Sequence, residues 1–156
     1  MIERSVTHAI FTIETRYAAP PVRVFAAWAS REAKLRWLFC HPEWEVGSYD
    51  FDFREGGRER MSTGPKGGPA HVMDSHYRDI VPDARIVFAY DMWVGETKLS
   101  ASLTTVEFKP EGSGTLMVFT EQGAFFDGHQ APEEREHGTR IGLANLAVEL
   151  GEKPAL

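Results

Sequence analysis

The chain has 156 residues, with 23 acidic against 17 basic side chains and a formal net charge of −6. That length suits one domain spanning 1–156, able to bury roughly 70% of its unfolded surface without help from a disulfide or a metal. The acidic balance leaves no basic footprint for nucleic acid and no basic face for a membrane surface, and no apolar run approaches transmembrane length. Small molecules and protein partners remain, and self-association as a homodimer stays open. No apolar segment follows Met1-Ile2-Glu3-Arg4-Ser5, so no signal peptide is expected. The lone Cys40 fits a reducing, cytoplasmic compartment. Its sequence neighbour His41 should point elsewhere, which argues against a catalytic thiol.

The first strand is predicted over Thr7 to Tyr17, with Ala9, Phe11, Ile13 and Tyr17 on one face. Pro20-Pro21 ends it and suits the first turn of a helix, on which Val24, Phe25 and Trp28 recur at helical spacing. Ser30 reads as the N-cap of a second short helix reaching about Leu38, with Leu35 and Leu38 on one side. From residue 44 the period changes to two: Tyr49, Phe51 and Phe53 alternate with Asp50, Asp52 and Arg54. Gly56-Gly57 reads as a hairpin turn, and Arg58 to Thr63 as the returning strand. After a Gly/Pro loop come His71 to Val81, a Val81-Pro82-Asp83-Ala84 turn, and Arg85 to Trp93. Thr97 to Phe108 and Thr115 to Gly123 complete the strands, with Lys109 to Gly114 as the turn between them. A helix follows from about Glu133 to Leu150, with Thr139, Leu143, Leu146 and Leu150 as its apolar stripe. A meander needs one face covered, and only this last helix is long enough to cover it.

Several local motifs occur in a telling order. They are Val24-Phe25-Ala26-Ala27-Trp28, Arg36-Trp37 with Trp44 beyond it, and Asp52-Phe53-Arg54-Glu55-Gly56-Gly57. Val81-Pro82-Asp83-Ala84-Arg85-Ile86, Gly114-Thr115 and Glu136-His137-Gly138-Thr139-Arg140 follow. Over residues 7 to 150 the chain resembles the START-like (SRPBCC) superfamily. More narrowly, it resembles bacterial homologues of the activator of the ninety-kilodalton heat-shock protein ATPase. The resemblance implies an α+β helix-grip fold: a seven-stranded curved antiparallel sheet, two short helices after strand one, and a long C-terminal helix over the concave face. It also implies an internal cavity between sheet and helix. It does not fix a function, because function belongs to the site.

No P-loop, dinucleotide fingerprint or Gly-x-Ser-x-Gly elbow is present. His71 and His76 lie five apart on one strand and face opposite sides; His129 and His137 read as solvated. No metal or cofactor is therefore expected. Asp50, Asp52 and Arg54 read as a solvated outer face. The ligand-binding candidates are Trp37, Phe51, Phe53, Met73, Tyr77, Tyr90, Phe119, Glu121 and Gly138. Most pair an apolar strand parity with aromatic or polar chemistry, as a small-molecule pocket does. Trp37 belongs to the helices closing one end of the sheet. Gly138 is a glycine inside a helix, where it costs roughly 1 kcal/mol against alanine unless the sheet or a ligand comes close.

Binding of a small hydrophobic or amphipathic molecule is the leading reading. A cyclase-like enzyme in the same cavity is the second, with Glu121, His71 and Tyr77 as acid–base candidates tuned by burial. An ATPase-activating co-chaperone is the third. The eukaryotic activators carry an additional N-terminal domain, for which this sequence is expected to have no room.

Overall fold

A computed structural model describes residues 3–38 and 41–154, so Cys40 lies outside the described residues. The strands are β1 (Val6–Tyr17), β2 (Trp44–Phe51), β3 (Arg58–Pro65), β4 (His71–Val81), β5 (Arg85–Val94), β6 (Thr97–Glu111) and β7 (Gly114–Phe126). The helices are α1 (Pro21–Ala29) and α2 (Arg31–Trp37), between β1 and β2, and α3 (Pro132–Glu149) at the C-terminal end. All strand pairs are antiparallel, in the order β1-β7-β6-β5-β4-β3-β2. The expected α+β helix-grip architecture is what the chain forms.

The local reasons are those the sequence displays. Pro21 opens α1, where a missing N–H costs nothing. Ser30 caps α2, its hydroxyl accepting from the Ala33 N–H at 3.1 Å, a contact worth about 1 kcal/mol. Asp83 takes φ +63 in the Val81–Ala84 turn, closed by Ala84 N–H to the Val81 carbonyl at 3.0 Å. Gly57 is required by space, since a Cβ there would fall 2.1 Å from the Asp52 carbonyl oxygen. The loop it closes pairs back onto β4: Gly56 N–H donates to the Tyr77 carbonyl, and Tyr77 N–H to that of Gly57.

The structure departs from the sequence reading in strand length and in the buried face of α2. The β6–β7 hairpin is longer than expected, because the ladder continues through Pro110↔Thr115 to Glu111↔Gly114. Lys109 and Pro110 therefore belong to β6. On α2 the inward residues are Ala33, Lys34 and Trp37, all buried, whereas Leu35 and Leu38 are half-buried.

The concave face of the sheet, α1, α2 and one side of α3 form a single core. Trp28 meets Trp37 edge-on at 4.8 Å, and Phe25 meets Phe108 at 5.5 Å and Phe53 at 5.7 Å. Leu143, Leu146 and Leu150 of the α3 stripe are buried, and Thr139 is half-buried. Each fully buried large apolar side chain contributes about 1.5–3 kcal/mol. Glu152, beyond α3, ties the end of the chain to β1's exit by accepting from the Ala18 and Ala19 N–H groups at 2.8 and 3.1 Å.

Candidate functional site

α3 rests on α2 and β1 and does not fill the concave face. Between it and the strands lies a cavity of about 340 Å³, within the range of small-molecule sites. Its wall is mostly aromatic and sulfur-bearing: Trp28 and Trp37 from the short helices, Phe88 and Met92 from β5, Met73 from β4, Phe119 from β7.

Two buried ion pairs are set into this wall. In the first, Lys34 Nζ donates to Glu59 Oε1 at 2.8 Å, and Tyr49 donates to Glu59 Oε2 at 2.9 Å. Tyr77 also donates to Glu59 Oε1. The ammonium lies 5.0 Å from the Trp28 ring centroid, with Trp37, Phe51 and Tyr77 at 5.7 to 5.9 Å, a cation–π arrangement. Burial, then the Glu59 charge, pushes both tyrosine hydroxyls well above their ordinary pKa, so they remain protonated donors.

In the second, Arg135 reaches down from α3. Its Nη1 donates to Tyr90 Oη at 2.9 Å and faces Glu121 Oε2 at 3.4 Å; its Nη2 donates to Ser100 at 2.7 Å and Gln130 at 2.6 Å. Glu121 also accepts from Tyr90 at 2.9 Å and from Thr104 at 3.2 Å. Burial pushes the Glu121 carboxyl upward, opposed by Arg135 and the hydrogen bonds of Tyr90 and Thr104. Lys34, Glu59, Glu121 and Arg135 all line the cavity.

At the rim, Trp44 stacks on His41 at 4.5 Å and lies tilted against His71 at 4.3 Å. Partial burial and the neighbouring His41 lower the His71 pKa. Ser75 Oγ and Trp28 Nε1 are buried with no hydrogen-bond partner among the described residues. Trp37 Nε1, by contrast, donates to the Ala27 carbonyl at 3.0 Å.

Of the sequence candidates, the cavity brings together Trp37, Met73, Tyr90, Phe119, Glu121 and Gly138, with His71 at its rim. Phe51, Phe53 and Tyr77 point inward but pack away from the lining. Phe53 lies against Phe25, Phe51 and Tyr77, and the Tyr77 hydroxyl is spent on Glu59. Inward parity on a curved sheet does not by itself reach the cavity, because α1 fills one end of the trough. The sheet does not approach Gly138 closely: a Cβ there would meet nothing within 4 Å, so its position opens onto the cavity mouth. Asp50, Asp52 and Arg54 are exposed, with Arg54 and Asp52 paired at 2.8 Å. His76, His129 and His137 are exposed, and among the described residues no group of three His, Cys, Asp or Glu side chains could hold a metal ion.

Lys34, Glu59 and Arg135 escaped the sequence reading. Glu59 alternates with Met61 and Thr63 on β3, and Arg135 lies four residues before Thr139, one turn ahead of the apolar stripe. Extending either pattern by one step would have flagged them. Among the described residues no helix is long and apolar enough to cross a membrane.

Known structures share this fold. An uncharacterized protein from Rhizobium leguminosarum is 51% identical, covering 96% of this chain and 98% of its own, with a TM-score of 0.90. The Mll3558 protein from Rhizobium loti is 48% identical over 93% of this chain and 99% of its own, with a TM-score of 0.87. An AHSA1-like protein from Aeromonas hydrophila, 17% identical over 92% of each chain with a TM-score of 0.68, shares the fold. Residues 18–151 match the family described as Activator of Hsp90 ATPase homolog 1-like protein, and the chain belongs to that family.

Proposed function

We propose that this domain binds a small amphipathic molecule in the cavity between the sheet and α3. The observation carrying this reading is an aromatic and methionine-rich hollow whose wall also holds the buried polar side chains Lys34, Glu59, Glu121 and Arg135. Protein interiors are otherwise close-packed, so a hollow of this size is unlike ordinary core. The carboxylate best placed for acid–base work, Glu121, has its oxygens engaged by Tyr90, Thr104 and Arg135. That favours binding over turnover. A cytoplasmic setting accords with this role but is not needed for it.

Titration with N-phenyl-1-naphthylamine, a neutral dye that brightens in apolar surroundings, tests the reading. One saturable site per chain is expected, weakened at least several-fold by Gly138→Leu, whose side chain would enter the mouth. Dye binding that is non-saturable, or equally tight in the variant, counts against it.

A further inference from the structure

We propose that the concave face carries a site for a soft monovalent metal ion, copper(I) or silver(I), made by the thioethers of Met61, Met73 and Met92 with the His71 imidazole. The three methionines form one row across adjacent strands. Met61 of β3 is directly opposite Met73 of β4, and Met73 is directly opposite Met92 of β5. All three line the hollow beneath α3. Opposed side chains on neighbouring strands have Cβ atoms about 4.5–5.5 Å apart, and on a concave face their tips converge further. An unbranched thioether with three rotatable bonds can turn its sulfur toward a shared point. His71 stands two residues before Met73 on the same face of β4. Its ring is held against Trp44 at 4.3 Å, at the end of the row.

Methionine also serves as adaptable core packing, and two observations separate that use from this one. The sequence has five methionines; three stand in this row, Met1 begins the chain, and Met117 is buried in the core. Within the row Met61 is buried, but Met73, Met92 and His71 are half-buried, so the row is open to an entering ion rather than sealed by packing. The donor types then choose the ion. Neutral thioethers favour copper(I), whereas magnesium, calcium and manganese call for oxygen ligands. Among the described residues no three His, Cys, Asp or Glu side chains come together as a zinc site needs. A single positive charge costs less to desolvate than two, and the buried anions of the wall, Glu59 and Glu121, already face Lys34 and Arg135.

The test uses silver(I), the redox-stable counterpart of copper(I), in chloride-free buffer near neutral pH. The sample is the full chain carrying Cys40→Ser, so that the thiol does not compete, with ¹³C-labelled methionine methyls assigned by single Met→Leu variants. The methyl signals of Met61, Met73 and Met92 should shift together and saturate at one ion per chain, with Met117 unmoved. Met73→Leu keeps the volume and removes the sulfur, and should weaken silver binding about tenfold or more. Zinc(II) should leave the three methyls in place. The proposal is overturned if silver leaves those methyls unmoved, if Met117 moves with them, if zinc shifts them equally, or if Met73→Leu binds silver as tightly as the parent. Dye binding is read separately from every one of these outcomes, so the cavity-binding reading stands or falls on its own.

Discussion

The two buried ion pairs occupy one cavity and are built differently. The Lys34–Glu59 pair is short, at 2.8 Å, and is held by ring faces and two tyrosine hydroxyls. The Arg135–Glu121 pair is longer, at 3.4 Å, and its guanidinium is shared among Tyr90, Ser100 and Gln130. Lys34 joins α2 to the sheet, whereas Arg135 joins α3 to it across the hollow. Desolvating two charges is costly, so neither pair need raise stability over an apolar replacement; removing one partner, however, strands the other. The first pair is a closed structural joint. The second is a polar strut that holds a helix over open space.

Replacement of single partners sharpens this contrast most. Lys34→Met is expected to lower unfolding free energy by about 3–5 kcal/mol, because Glu59 is left buried without its cation. Lys34→Met/Glu59→Leu should recover most of that loss. Arg135→Met should cost less, about 1–3 kcal/mol, since its pair is the longer one, 3.4 Å against 2.8 Å, and the Glu121 carboxyl, already pushed upward by burial, can take up a proton. Urea unfolding of the three variants measures this, and equal costs for the two single replacements would erase the distinction.

Titration of Glu121 gives the next effect. Its folded-state pKa is raised by burial, so its contribution is fully present below the unfolded pKa of about 4.3 and is lost as pH rises through the folded value. Asp74, beside Arg58, runs the opposite way, its depressed pKa costing stability only as pH falls through the folded value. Comparing the wild type with Glu121→Gln isolates the first term. The stability of the variant relative to the wild type should climb as pH rises from about 4.3, and a flat or falling difference would refute the assignment.

The smallest expected effect is at Gly138. Its Cβ position is open, so Gly138→Ala should stabilise by up to about 1 kcal/mol through helix propensity alone. A loss of melting temperature would mean that the open position is not tolerant of a side chain.

The architecture was legible in the sequence because each strand carried its own signal. Alternation at Tyr49–Arg54, prolines at the start of α1 and α3, and turn residues at Pro82-Asp83 are local and survive without a partner. The site was legible only where apolar parity marked it, as for Met73, Tyr90 and Phe119. Lys34 was not, since a charged residue on a helix normally faces water, and its burial depends on a carboxylate 25 residues away. Phe51 and Phe53 show the opposite error. They are inward-facing aromatics whose distance from the cavity is set by where α1 packs, which no strand pattern encodes.

The indole N–H groups offer the most direct measurement. Trp28 and Trp37 both line the cavity, whereas Trp93 on β5 lies outside the lining and serves as an internal control. In a ¹⁵N-labelled sample titrated with N-phenyl-1-naphthylamine, the indole signals of Trp28 and Trp37 should shift together and saturate at one ligand per chain, with little change at Trp93. A titration that leaves Trp28 in place, or moves only Trp93 on β5, would contradict ligand binding in the cavity.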